Sequence, residues 1–125
     1  MTYKEVYQVI SAIPLGDGAI PAAYYQFPED DPNNPAPPPP FLVYYYSGSD
    51  DLTADNTNYQ RIRPLTIELY TDNKDFTIED AVETALNAAG IAYSRTEVYV
   101  ETEHLYMVTY TSDIIITEEL EDNGE

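Results

Sequence analysis

An α+β fold is what this sequence predicts: a mixed, mostly antiparallel sheet of about five strands packed with two helices, in the order α-β-β-β-α-β-β. Three observations carry it. Two segments place apolar residues at helical spacing behind capping residues, and five runs are rich in Val, Ile, Tyr and Thr. The 125 residues, 43% of them hydrophobic, also match the size of a single core and are too few for two.

The first helix is expected over about residues 3–13. Thr2 and Glu5 have capping-box spacing, and Val6, Val9, Ile10 and Ile13 follow at helical intervals. Pro14 ends it, because proline disfavours helical geometry at the residue before it, and Gly16-Asp17-Gly18 supplies turn chemistry. A first strand over 22–27 runs into residues 28–40, where seven prolines in thirteen residues favour an extended polyproline II loop. That loop reads as a stiff linker between strands, and its composition also suits an aromatic groove on another protein.

Phe41-Leu-Val-Tyr-Tyr-Tyr46 is unbroken and apolar, the pattern of a strand covered on both faces. A polar loop over 47–56 leads to a third strand over about 59–70, where Leu65, Ile67 and Leu69 share a face and Pro64 marks an edge or bulge. The second helix is expected to start at Thr77 as N-cap. Ile78, Ala81, Val82, Ala85, Leu86 and Ala89 form its apolar stripe, and Gly90 stops it. Strands over 92–100 and 105–116 then make a hairpin around Thr102-Glu103. The expected organisation is one domain over 1–117, with an acidic flexible tail over 118–125 whose charges guard against edge-to-edge aggregation.

Five cations, Lys4, Arg61, Arg63, Lys74 and Arg95, face 23 carboxylates, for a net charge of -18. Such a field repels phosphate backbones and anionic lipid headgroups, so ordinary nucleic-acid or membrane binding is disfavoured, and assembly of several copies should depend on salt. The absence of cysteine excludes disulfides and thiolate metal sites. Met1-Thr-Tyr-Lys-Glu5 lacks the basic and apolar regions of a secretory signal, and no apolar run is long enough for a spanning helix, so synthesis in a cytoplasm is expected.

Chemistry is hard to find in this chain. A serine triad would have to use His104, the only histidine, and no nucleophile elbow accompanies it. Glu103 and His104, if on a strand, alternate to opposite faces, so Glu101, Glu103 and His104 make a poor metal cluster. Asp50, Asp51, Asp55 and Asn56, and likewise Asp72 and Asp75, lack the spacing of a calcium loop and read as solvated turns. Among so many acids, two close carboxylates say nothing about sugar hydrolysis. No enzyme activity, cofactor or metal is expected.

The stretch Leu65-Thr-Ile-Glu-Leu-Tyr-Thr-Asp-Asn-Lys-Asp75, the helix from Thr77, and Glu97-Val-Tyr-Val-Glu-Thr-Glu-His-Leu-Tyr-Met-Val-Thr-Tyr110 resemble the tail-terminator, or tail completion, proteins of long-tailed, non-contractile bacteriophages. So does Phe41-Leu-Val-Tyr-Tyr-Tyr46 with Ala54-Asp-Asn56. The resemblance covers about residues 41–112 and rests on pattern and element order. It implies a virion structural protein without a cofactor, assembled as a ring of six subunits on the head-proximal end of the tail tube. There it would stop polymerisation of the major tail tube protein and join the tail to the head completion or connector protein. Genomic DNA would pass through the ring, and no membrane would be involved. The protein would pass from the host cytoplasm during assembly to the head-tail junction of the virion.

Under that expectation an acidic lumen repels its cargo, and Asp50, Asp51, Asp55, Glu79, Asp80 and Glu83 are candidate lumen-facing or partner-facing acids. For each, a solvated loop or the stabilisation of a helix start by negative charge is an equally good account. Arg61 and Arg63, on one side of a strand, are candidate inter-subunit contacts together with Tyr59, against an intramolecular bridge as the rival. Tyr44, Tyr46 and Tyr106 suit core or interface alike. The charge fits two further readings. One is an acidic DNA-mimic inhibitor that occupies a nucleic-acid-binding protein. The other, a carboxylate hydrolase, needs a concave pocket and an acid titrating near neutrality.

Overall fold

The chain, seen as a computed structural model, is described over residues 1–27, 37–48, 52–54 and 57–117, with backbone alone at 52–54 and 57–61. The predicted acidic tail lies outside the described residues, as does most of the proline-rich loop.

Helix α1 spans Tyr3–Ser11. Its capping box is closed in both directions: Glu5 N donates to Thr2 Oγ1 at 2.9 Å and Thr2 N donates to Glu5 Oε1 at 2.8 Å. It stops two residues earlier than the apolar spacing suggests. Ile13 is fully buried beyond the helix end, and a two-residue hairpin follows, β1 (Pro14–Leu15) with β2 (Gly18–Ala19), turning at Gly16 with φ +59°.

Helix α2 spans Phe76–Ala88, and its N-cap is Asp75 rather than Thr77. Asp75 Oδ1 accepts from Thr77 N at 3.0 Å and Ile78 N at 3.2 Å, so the carboxylate takes the capping role one residue before the helix begins. At the other end Gly90, at φ +75°, adopts the left-handed turn. Its N–H bonds Asn87 O and the next N–H, of Ile91, bonds Leu86 O at 2.9 Å. This is a Schellman closure, with Ile91 and Leu86 both buried behind it.

The main sheet has the order β3-β4-β6-β8-β7, with β3 at Ala22–Tyr24, β4 at Phe41–Tyr46, β6 at Thr57–Thr71, β8 at Leu105–Ile116 and β7 at Ser94–Val100. Strand β3 is parallel to β4, and the other neighbours are antiparallel. The fold is α+β. Within the loop expected over 47–56, a further strand, β5 (Leu52–Ala54), folds back on the start of β6. Strand β3 is shorter than expected because Tyr25 turns to φ 74°. Turn residues 101–104 join β7 to β8, so Glu103 and His104 occupy a turn and not the alternating positions of a strand.

Both helices sit on one face of the sheet. Val6 and Ile10 of α1 and Val82 and Leu86 of α2 pack against Leu42, Tyr44, Leu65, Ile67, Leu69, Val108 and Tyr110. Burying each such aliphatic side chain contributes about 1.5–3 kcal/mol before chain entropy is counted. The opposite face carries a thinner aromatic layer. Phe27 meets Phe41 edge-on at 5.5 Å, Phe41 stacks on Tyr70 at 5.1 Å, and Tyr25 stacks on Tyr45 at 5.0 Å. Val43 beneath this layer is 7% exposed, so β4 is covered on both faces.

Candidate assembly surface

A surface that meets other copies or other proteins is built from the charges and rings that the fold leaves outside, so the first question is which charges it uses internally. Helix α2 presents Glu79 toward the sheet, where it is 3% exposed. Lys74 Nζ lies 2.5 Å from its Oε2, and Arg95 Nη2, from β7, lies 2.5 Å from its Oε1. Glu97, on the same sheet face as Arg95, adds a contact to each cation, at 2.9 Å from Lys74 and 3.4 Å from Arg95. Glu83, one helical turn on from Glu79, sits 3.3 Å from Arg95 Nε and accepts from the Tyr110 hydroxyl at 2.9 Å.

Burial works against the charged forms of Lys74 and Arg95, but the hydrogen bonds and charges around them, from Glu79 and Glu97 at Lys74 and from Glu79 and Tyr110 at Arg95, together outweigh it and raise both pKa values. The hydrogen bond from Lys74 holds the Glu97 carboxyl below its usual range. Lys74 and Arg95 are thereby bound inside the subunit.

The expected site residues separate accordingly. Glu79 is an internal acid, buried and paired with Lys74 and Arg95. Glu83 is half-buried in the same cluster, whereas Asp80 is exposed. Asp50, Asp51 and Asp55 lie outside the described residues. Arg61 and Arg63 stand on alternate positions of β6, opposite Ile116 and Ile114 of β8. Tyr59 and Arg61 are described by backbone only. Arg63 is half-buried and donates to Ile62 O at 3.5 Å. Tyr44 belongs to the core, while Tyr106 is half-buried beside Tyr99, with rings 4.9 Å apart. His104 stands in the turn, its Nδ1 3.5 Å from the Tyr99 hydroxyl. Among the described residues no group of His, Asp and Glu is arranged to hold a metal ion.

Two features escaped sequence reasoning. Glu68, read only as a polar position of a strand, accepts from the hydroxyls of Tyr45 at 2.8 Å and Tyr70 at 2.7 Å and ties the outer aromatic layer together. Their period-two spacing across paired strands was the available signal, through the register of Val43 with Glu68. The second is a tyrosine-walled cavity of about 470 Å³, lined by Tyr3, Tyr24, Tyr44, Tyr46, Gly48 and Arg63. Large apolar side chains also stand in solvent elsewhere, with Phe76 68%, Tyr25 62% and Val98 50% exposed.

The hydroxyls give a pH prediction. Burial first, and then the Glu68 hydrogen bond, push the Tyr45 phenol from 10.0 up to about 12. Burial also raises Tyr46, Tyr70 and Tyr110. The unfolded chain loses these protons first, so their contribution to stability is complete below pH 10 and is lost as pH rises through the folded-state values. In an alkaline titration, tyrosinate absorbance is expected to rise in two stages, the second together with loss of circular dichroism. A single stage near pH 10 with the fold intact would contradict this account.

No family model matches the chain, and no curated protein sequence does. A solved structure does match in three dimensions: a chain in the virion of a native gene transfer agent (GTA) particle, with a TM-score of 0.56 over 88% of this chain and 91% of that one, at 16% identity. The likeness is one of fold. It spans nearly the whole of both chains, so the helices and the sheet together form the shared unit. None of the described helices is long and apolar enough to cross a membrane.

Proposed function

We propose that this protein is a structural component of a phage-like virion, the tail terminator that forms a ring on the head-proximal end of the tail tube. The observation that carries the reading is the fold shared, end to end, with a component of a gene transfer agent virion. The pattern of residues 41–112 gives it direction toward the tail terminator.

In this reading copies of the chain close into a ring of six, with one face on the tube and the other toward the head connector. The net charge of -18 acts on DNA passing through as a repulsive lining, so the genome crosses without adhering. Asp80 is the described helix acid best placed to contribute, together with the loop acids Asp50, Asp51 and Asp55. Arg61 and Arg63, two residues apart on β6, are the cations assigned here to contact a neighbour's carboxylates. The exposed Phe76 and Val98 would supply apolar area at such boundaries.

The test is deletion of the gene from its parent genome, followed by electron microscopy of the particles. Tails of uncontrolled length, or finished tails without heads, are expected. Tails of normal length joined to heads would refute the assignment.

A further inference from the structure

We infer that β7 is a self-pairing edge: it adds antiparallel to β7 of a second copy of this chain, about a two-fold axis through Thr96. The inference needs two copies only, and does not depend on a ring or a virion.

The two ends of the main sheet are finished differently. At one end β3 is three residues long, follows Pro21 and is cut off where Tyr25 turns to φ 74°, so it offers a second chain little ladder to extend. At the other end β7 runs for seven residues without proline or glycine, and its register with β8 steps evenly from Ser94 with Thr111 to Val100 with Leu105, without a bulge. Among the described residues β8 is its only neighbouring strand, so the backbone groups on its far side have no ladder. Ser94 to Tyr99 are all exposed, Val98 by 50% and Tyr99 by 45%. A strand of Thr, Val and Tyr with one cation and one acid has the composition that pairs with its own kind.

The charge pattern names the occupant and the register. Antiparallel neighbours related by a two-fold axis set one residue opposite its own copy, and directly opposed side chains share a sheet face. Centred on Arg95 or on Glu97, the pairing would set like charges against each other. Centred on Thr96, it sets Arg95 opposite the partner's Glu97 and Glu97 opposite the partner's Arg95, with the two Thr96 side chains at the axis and Val98 against the partner's Ser94. Opposite charges and paired threonines are favourable neighbours across strands. One step further out Tyr99 comes opposite the partner's Tyr93, an aromatic contact at each end. A pairing centred on Val98 would instead put Glu97 against the partner's Tyr99 and Arg95 beyond the end of the partner's strand.

The internal cluster stays intact in this pairing. Arg95 and Glu97 keep their contacts to Glu79 and Lys74, and the second copy joins them from the far side of the strand. Lys74 and Arg95 offset most of the charge of Glu79, Glu83 and Glu97, so this edge is much less negative than a chain with 23 acids and five cations is as a whole. Repulsion between two copies is weakened where they would meet. A ladder of about five residues, about 17 Å long, makes a weak and reversible dimer. The contact closes at two copies and leaves the helices of both on one face of a joined sheet.

The experiment exploits the absence of cysteine from the chain. Thr96→Cys in the full chain puts a thiol opposite its own copy, with Cα atoms about 4.5–5.5 Å apart and within reach of a disulfide. Mild oxidation is expected to join it as a dimer, about tenfold faster than Val98→Cys, which faces serine, or Asp17→Cys, on the turn of the small hairpin. Sedimentation of the unaltered chain from micromolar to millimolar concentration should show a monomer–dimer equilibrium that tightens as salt screens the net charge. Thr96→Glu, which sets two carboxylates against each other at the axis, should weaken that equilibrium about tenfold or more. Circular dichroism checks that each variant folds. A chain that stays monomeric at millimolar concentration in high salt, or a dimer indifferent to Thr96→Glu, overturns the inference. Cross-linking of Val98→Cys or Asp17→Cys as fast as Thr96→Cys would mean another register or chance collision, and overturns it equally.

Discussion

Glu79→Ala is expected to destabilise the fold by about 3 kcal/mol, moving the urea midpoint down by about 1–3 M without changing the slope. The carboxylate is 3% exposed and bridges Lys74 and Arg95, so its removal takes away the buried partner of both cations and leaves them only the more exposed Glu97 and Glu83. Breaking a fully buried pair costs about 3–5 kcal/mol, and the partly exposed side chains of Lys74 and Arg95 can turn outward and recover some hydration, which places the expectation at the low end. Lys74→Met alone should cost less, since Arg95 still neutralises Glu79. A double-mutant cycle between Glu79 and Lys74 should return a clear coupling energy. A loss below about 0.5 kcal/mol for Glu79→Ala would mean that the cluster is incidental to the fold.

Arg61→Glu combined with Arg63→Glu is expected to abolish assembly while leaving the subunit folded. The backbone of both residues pairs with Ile116 and Ile114 of β8, a ladder that side-chain substitutions leave in place. At an interface the effect is large, because each reversal removes a cation from an acidic boundary and adds a repulsion. Losing a desolvated charge partner costs about 2–5 kcal/mol per contact, enough to weaken association by about thirtyfold to several thousandfold. Sedimentation and negative-stain microscopy at physiological salt would show monomers. Rings, and tails of regulated length, persisting in the double variant would remove both residues from the interface.

Much of the fold can be read from local signals, and the site cannot, for a physical reason. The capping box of Thr2 and Glu5, the stop at Gly90 and the doubly covered strand at 41–46 each follow from chemistry confined to a few residues. The N-cap of α2 was misplaced because Asp75 and Thr77 both suit the role, and only the backbone direction entering the helix chooses between them. Glu79 shows the deeper limit. At a helix start an acid is explained by the helix dipole alone, so nothing in its surroundings in sequence marks it as buried. Arg95, its partner, is sixteen residues away, on a strand whose register sets the pairing. With 23 acids to choose among, sequence offers no way to select that one. The tyrosine-walled cavity is legible only in retrospect, since it joins Tyr3 of a helix, Tyr24 and Tyr46 of two strands and Arg63 of a third.

Strand β6 runs without interruption from its pairing with β5 into the middle of the sheet. Beyond Leu65 it has left β4 and keeps β8 as its partner as far as Arg61. Pro64 stands at that departure, accepting from Ser47 N through its carbonyl and having no N–H to extend the ladder on the β4 side. Tension applied at the start of β6 is therefore carried along the strand axis and loads the hydrogen bonds to β4 and β8 in shear, many at once, instead of peeling them singly. A subunit held there would transmit force to its own centre and yield only when the whole ladder slips.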